Sequence, residues 1–190
     1  MLDALTVIAS GILLGLSMAA PPGPVNAMIA SEAIKSNLHG TAVGAGAMTA
    51  DFIFFVLMLF VSDYIPSAVI PWLYILGGLL MLYFAYGVLK ARPVKTKISG
   101  SYIKGLKLGL TNPYQITWWI AYGIPMISHF SFLIGPSFFL GILVWILTYP
   151  YVVHKLGGLS DKAVIGIKLF SFAVLLAFGV YAIVVGVQGI

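Results

Sequence analysis

Ala20-Pro21-Pro22-Gly23-Pro24 lies inside the first apolar stretch of the chain, where a membrane helix would ordinarily carry leucines. Three prolines and a glycine over four positions strip out backbone donors and force a helix to stop and restart. Lipid offers the freed carbonyls nothing, so the break must face protein or a water-filled cavity. A second break stands at Asn112-Pro113. Gly23-Pro24 and Asn112-Pro113 each read as a helix N-cap followed by proline at the first helical position. A helix N-terminus presents free N–H groups and the positive end of the dipole, which suits a carboxylate. The carbonyls around Ala19-Ala20 and Leu110-Thr111, ending the preceding half-helices, can accept from an ammonium group. Asp51 is the one carboxylate within an apolar stretch, a setting where ionisable residues are rare and functional. It can pair with an ammonium group or hold a proton, so substrate and proton would compete for it. The plainer alternatives are a pair of kinks, as at Pro150, and a structural aspartate bonded to backbone of the first or fourth span.

These residues need elements to carry them, and composition says which. Hydrophobic residues make up 61% of the 190, charged residues 8%, and the mean hydropathy is +1.08, far from the roughly one-quarter charged of soluble domains. Six apolar segments, about 4–30, 41–61, 68–89, 105–127, 132–153 and 164–187, are each long enough to cross a bilayer. The expected fold is an all-α polytopic membrane protein of six transmembrane helices, a single domain over 1–190. Residues 90–104 form a cytoplasmic linker between halves 1–89 and 105–190. Three spans per half make the second half enter the membrane from the opposite side, so two similar halves form an inverted repeat with helices 1 and 4 broken. Gly15-Leu16…Pro22-Gly23-Pro24 and Gly105-Leu106…Asn112-Pro113 are the short internal match that supports it. The half-helix from Pro24 to Lys35 is about 16 Å long and that from Lys104 to Pro113 about 13 Å. Each is near half of a roughly 30 Å hydrocarbon core. Both second half-helices then start near the midplane and converge on one cavity.

The net charge of +5 invites a nucleic-acid reading, which the distribution rejects. Lys35, then Lys90, Arg92, Lys95, Lys97, Lys104 and Lys107, then Lys155, Lys162 and Lys168 all fall on one side of a six-span arrangement. The positive-inside rule places those loops in the cytoplasm and both termini outside the plasma membrane. The basic residues therefore serve topology and lipid contact, not nucleic acid. The start, Met1-Leu2-Asp3, lacks the basic region of a signal peptide, so the first segment is expected to be retained. With no cysteine in the chain, thiolate metal sites and disulfides are excluded.

Asn26 lies just inside the second half-helix and is expected to line the cavity. Tyr114, Trp118, Trp119 and Tyr122 follow the second break, where aromatic faces can hold an amine, although lipid-facing placement is an equal alternative. Gly40, Gly44 and Gly46 read as a close-packing stretch. Glu32 reads as a solvated flank, and His39, His129 and His154 as loop residues without metal-site spacing.

A proline-glycine-proline break in span 1, a glycine-rich start of span 2 leading to Asp51, and Asn112-Pro113 in span 4 together resemble the lysine-exporter (LysE/RhtB) translocators over essentially the whole chain. The resemblance implies export of amino acids or related small metabolites, driven by an ion gradient with the proton as the expected coupling ion. It points to Pro22, Gly23, Pro24, Asp51, Asn112 and Pro113. Many members carry lysine after Asn-Pro, where this chain has Tyr114. With one intramembrane acid, a neutral amino acid or small zwitterion fits better than a dicationic substrate. No cofactor and no resident metal are expected, and a homodimer is compatible with the chain. A divalent-cation exporter of the wider superfamily is the alternative, weakened by the single carboxylate. An intramembrane protease would need a second aspartate or a mid-span histidine.

The topology is directly testable, because single introduced cysteines meet no native background. Cysteines at 64, 130 and 189 are expected to label from outside, and those at 36, 97 and 160 only from inside. Labelling at 97 from outside in intact cells reverses the orientation.

Overall fold

The computed structural model describes residues 4–62, 64–90, 102–129, 134–156 and 160–190. Most of the expected linker 90–104 and parts of the other connections fall outside them. The described residues are helical with no strand: α1 (Ala4–Ala19), α2 (Pro24–Lys35), α3 (Asn37–Ser62), a 3-10 turn at Ser67–Val69, and α4 (Ile70–Lys90). Then come α5 (Tyr102–Thr111), α6 (Pro113–Trp118), a π-helical segment (Trp119–Gly123), α7 (Ile124–His129), α8 (Ile134–Leu156) and α9 (Asp161–Gln188). Four stretches are long and apolar enough to cross a membrane: Asn37–Val61, Ser67–Lys90, Ile134–Leu156 and Asp161–Gln188. The α1–α2 pair makes a fifth if counted as one broken span, bent by 80°. The run from α5 to α7 is interrupted twice, at Asn112 and at the π segment.

These helices are apolar all round because lipid, not water, faces their outer surface. Phe52, Phe60, Trp72, Leu79, Leu147 and Val187 are all exposed large hydrophobics. With apolar groups on both sides, helix association must come from close packing rather than from the hydrophobic effect. Small residues supply it. The main pairings are α4 with α9, α1 with α8, and α3 with α5. At the α3–α5 crossing, a side chain on Gly46 would strike the carbonyl of Tyr102, and one on Gly105 that of Val43. At the α1–α8 crossing, Gly15 lies against the carbonyl of Phe138 and Gly141 against that of Ile12. Gly40 and Gly44 also pack closely, against Ile29, Ala33, Pro150 and Ile146.

Three local expectations are corrected. The connection expected over Ser31–Gly40 shrinks to Ser36, whose N–H closes the end of α2 on the Glu32 carbonyl. Glu32 is not a solvated flank: it is 2% exposed, with the Lys35 ammonium 2.8 Å from its carboxylate. A three-residue spacing on α2 lets the lysine follow the glutamate, so both polar residues are accommodated in a continuous helix. His39, His129 and His154 are helical, in α3, at the end of α7 and in the last turn of α8. The His154 Nδ1 lies 2.8 Å from the Ala33 carbonyl, tying the ends of α8 and α2.

Gly105→Val tests the α3–α5 contact. A branched side chain driven into the Val43 backbone is expected to destabilise the protein by about 1–3 kcal/mol, read as a lower melting temperature in detergent. An unchanged melt shows that the two helices do not touch there.

Candidate functional site

Each break solves the same problem differently. In the first, α1 ends at Ala19 and the chain turns through Pro21–Gly23, so carbonyls are left without intrahelical donors. The Asn26 amide reaches back from the first turn of α2, its Nδ2 donating to the Ala19 carbonyl at 2.6 Å and to the Pro21 carbonyl at 2.8 Å. Its Oδ1 accepts from the Trp145 indole of α8 at 3.1 Å. The side chain is thus fully occupied by closing the break. Gly23 is the N-cap of α2, extended (φ −155°) with Pro24 following, and offers no side-chain acceptor. The N–H groups of Val25 and Asn26 therefore stay available at the helix start.

At the second break, Asn112 is the N-cap of α6, and its Oδ1 accepts from the Tyr114 backbone N–H at 3.1 Å. Its Nδ2 donates to the Gln115 Oε1 at 3.1 Å. Gln115 in turn donates to the Asp51 Oδ1 at 2.9 Å. A hydrogen-bonded line thus runs from the second break to the carboxylate. The Trp119 indole also donates to Oδ1, at 3.0 Å. Neither donor reaches Oδ2. Asp51 is 5% exposed, and both of its donors are side chains of the α6–π run rather than backbone groups.

The two breaks and Asp51 line one cavity of about 610 Å³. Pro22, Gly23, Pro24, Asn26, Asp51, Asn112 and Tyr114 all belong to its wall, as do Gln115 and Trp145. Apolar groups such as Met18, Met48, Phe84 and Ile142 complete it, and no lysine or arginine lies among the lining residues. Along α4 the lining runs from Leu80 to Val88, toward the end of α4 that enters the basic linker. One turn the other way, Phe55, Trp119, Phe138 and Phe139 pack edge to face with centroids 5.4–6.0 Å apart. These four rings are not part of the cavity wall; they form a packed aromatic block beside Asp51, to which Trp119 donates.

Two expected site residues stand apart. Pro113 occupies the first position of α6, and its side chain is outside the described set. Trp118 is 1% exposed and stacks on Phe138 at 5.3 Å, in the packed core rather than in the cavity wall. Gln115 and Trp145, the partners of Asp51 and Asn26, were not anticipated, and Trp119 was weighed only as an aromatic face. Gln115 had a signal: an amide one turn beyond a break in an apolar span needs a partner, and Trp119 follows it at i+4 on the same face. Trp145 had none, since its pairing spans 119 residues.

The Asn26 arrangement predicts a large effect from a small change. Asn26→Ala leaves the carbonyls of Ala19 and Pro21 and the Trp145 indole without their partner. At about 1–3 kcal/mol for each buried group stranded, the melting temperature in detergent is expected to fall sharply, with Trp145 fluorescence altered. A wild-type melt shows that water replaces the amide and that the break does not depend on it.

The family model described as LysE type translocator matches residues 16–188. A relative from Bacillus subtilis (strain 168), named "Putative amino acid efflux protein YcgF", is 27% identical over 211 residues covering 98% of each chain. No solved structure matches. With a buried acid and two helix breaks around one cavity in a multi-pass helical chain, and a family match over residues 16–188, this protein belongs to the LysE type translocator family.

Proposed function

We propose that the protein is a secondary active exporter that moves a neutral amino acid, or a zwitterion of similar size, out of the cell in exchange for protons through Asp51. The observation that carries the reading is the single cavity walled by both breaks and by Asp51. It offers a zwitterion one place for each charge. The uncapped N–H groups of Val25 and Asn26 suit the carboxylate, and the side of Asp51 left by Gln115 and Trp119 suits the ammonium. The second N-terminus is capped by its own Asn112, so it serves Asp51 through Gln115 more than it serves the substrate. Without a lining cation or a second acid, the net charge of the bound molecule should be near zero. The Bacillus subtilis relative, named "Putative amino acid efflux protein YcgF", agrees with this direction of transport.

The coupling follows from one carboxylate that cannot hold two partners. In the conformation described, the cavity leads toward the basic end of the bundle, which the charge distribution places in the cytoplasm. Substrate enters there and its ammonium pairs with ionised Asp51. After the protein turns outward, a proton from outside replaces the ammonium on the carboxyl and the substrate leaves. The neutral, protonated protein returns and releases its proton inside. An inverted repeat of the two halves would suit such a rocking cycle, and the helix contacts are compatible with one. Exchanging spans 1 and 4, and 2 and 5, carries the α1–α8 contact onto the α5–α3 contact and leaves the α4–α9 pairing on itself.

Reconstituted vesicles with imposed pH and sodium gradients, offered a panel of amino acids, test the reading. A pH gradient, not a sodium gradient, is expected to drive a neutral member of the panel. Asp51→Asn removes a charge at almost constant shape, so it should abolish proton-driven movement while leaving the protein folded and inserted. Wild-type rates from Asp51→Asn at clamped membrane potential reject the coupling role, and a panel in which nothing moves rejects the exporter.

A further inference from the structure

Among the described residues, four buried side-chain polar atoms have no hydrogen-bond partner, and three belong to one helical run: the Tyr114 hydroxyl, the Trp118 indole N–H and the Tyr122 hydroxyl. Native interiors leave few such atoms, because each forfeits the bond that water would have supplied. Their spacing of four and four stacks them on one face of the run from Pro113 to His129. That face starts at the cavity, where Tyr114 is part of the wall. It rises about 12 Å at 1.5 Å per residue, away from the basic end of the bundle. Trp118 and Tyr122 are each 1% exposed, their rings 5.5 Å apart, with Trp118 stacked on Phe138 of α8.

The neighbouring face makes the contrast. Gln115 and Trp119, one residue further along, each donate to Asp51, and the Gln115 amide also reaches the Ala47 carbonyl at 3.5 Å. One face is bonded to the carboxylate, and the next carries three idle polar atoms where phenylalanine or leucine would pack at lower cost. The middle of the run is π-helical from Trp119 to Gly123, a wider winding that concentrates at functional sites. It lies between two anchors, Gln115 on Asp51 below and the Pro125 carbonyl above, which accepts from the Tyr74 hydroxyl of α4 at 2.6 Å. Two of the three idle atoms, those of Trp118 and Tyr122, fall between these anchors, while Trp119 between them is held to Asp51.

We infer that the Tyr114–Trp118–Tyr122 face is the outward leg of the transport path. It is closed against Phe138 here. When the protein turns outward, the face parts from α8, takes up water, and offers its hydroxyls and indole N–H to the charged ends of the departing substrate. The inference rests on the exporter reading and adds the route by which substrate leaves the cavity.

Two measurements on the full chain in vesicles test it, with the neutral amino acid that the wild type exports fastest as the probe. Tyr122→Phe keeps the ring and removes only the idle oxygen. A merely packed tyrosine predicts an equal or higher melting temperature and unchanged export. The path predicts an equal or higher melting temperature with export about tenfold slower, the equivalent of one lost hydrogen bond to a charged group. The amino-acid-induced rise in melting temperature, which reports binding in the cavity, should stay the same. Separately, Tyr122→Cys in vesicles that still export should react with a membrane-impermeant methanethiosulfonate added on the side without basic loops, faster during turnover than at rest. Wild-type export by Tyr122→Phe overturns the inference, and so does a Tyr122→Cys protein that exports yet stays unlabelled. If the wild type itself moves no amino acid, the exporter reading falls and this one falls with it.

Discussion

A backbone that stops inside a hydrocarbon layer must find its hydrogen bonds from the protein itself. That requirement governs this molecule. The single Asn26 side chain meets it at the first break by bridging the Ala19 and Pro21 carbonyls to the Trp145 indole. Without such a bridge the end of α1 would leave its carbonyls unpartnered, and the cavity would lose its wall on that side. The second break meets the same requirement with its own cap, and the remaining half of the Asn112 amide goes to Gln115 and so toward Asp51. Satisfying the backbone and positioning the acid are one network at this end.

The rest of the architecture follows from how closely the helices can come together. Glycines at both α3–α5 and α1–α8 crossings bring backbone against backbone, leaving the larger side chains to fill the space around the π segment. Trp118, Trp119, Tyr122 and Phe138 are all essentially buried there. The small-residue seams and the aromatic block are complementary: thin contacts beside the cavity, thick ones beyond it.

Local chemistry was readable from the chain and long-range pairing was not. Proline and glycine act on their own residues, so the caps at Gly23 and Asn112, each with proline following, appear where the sequence places them. Asp51 and Asn26 stand out in an apolar chain by type alone. The identity of their partners depends on which helices touch, and nothing local encodes that Trp145 meets Asn26 or that Gln115 meets Asp51. Trp118 shows the same limit: its position after the break suggested the cavity, and packing against α8 put it in the core. The π segment escaped notice because its cause is tertiary as well as local. Pro125 cannot donate to the preceding turn, and Asp51 holds Trp119 from the side. Glu32 was misjudged because a charge near a helix end looks solvated until its neighbours are known.

The three main helix pairings, α4 with α9, α1 with α8, and α3 with α5, all join the first half of the chain to the second. This has a consequence for biosynthesis. More than a hundred residues separate the end of α1 from the start of α8, so at 5–20 residues per second a ribosome needs on the order of ten seconds to deliver the partner. During that interval the seam glycines of α1 lie in the bilayer without their partner, and the carboxyl of Asp51 waits for Gln115 and Trp119, 64 and 68 residues further along. The nascent first half is therefore a natural client for whatever insertion machinery shelters polar groups in lipid. A truncated product ending in the central linker has no route to a native arrangement and should be degraded rather than accumulate.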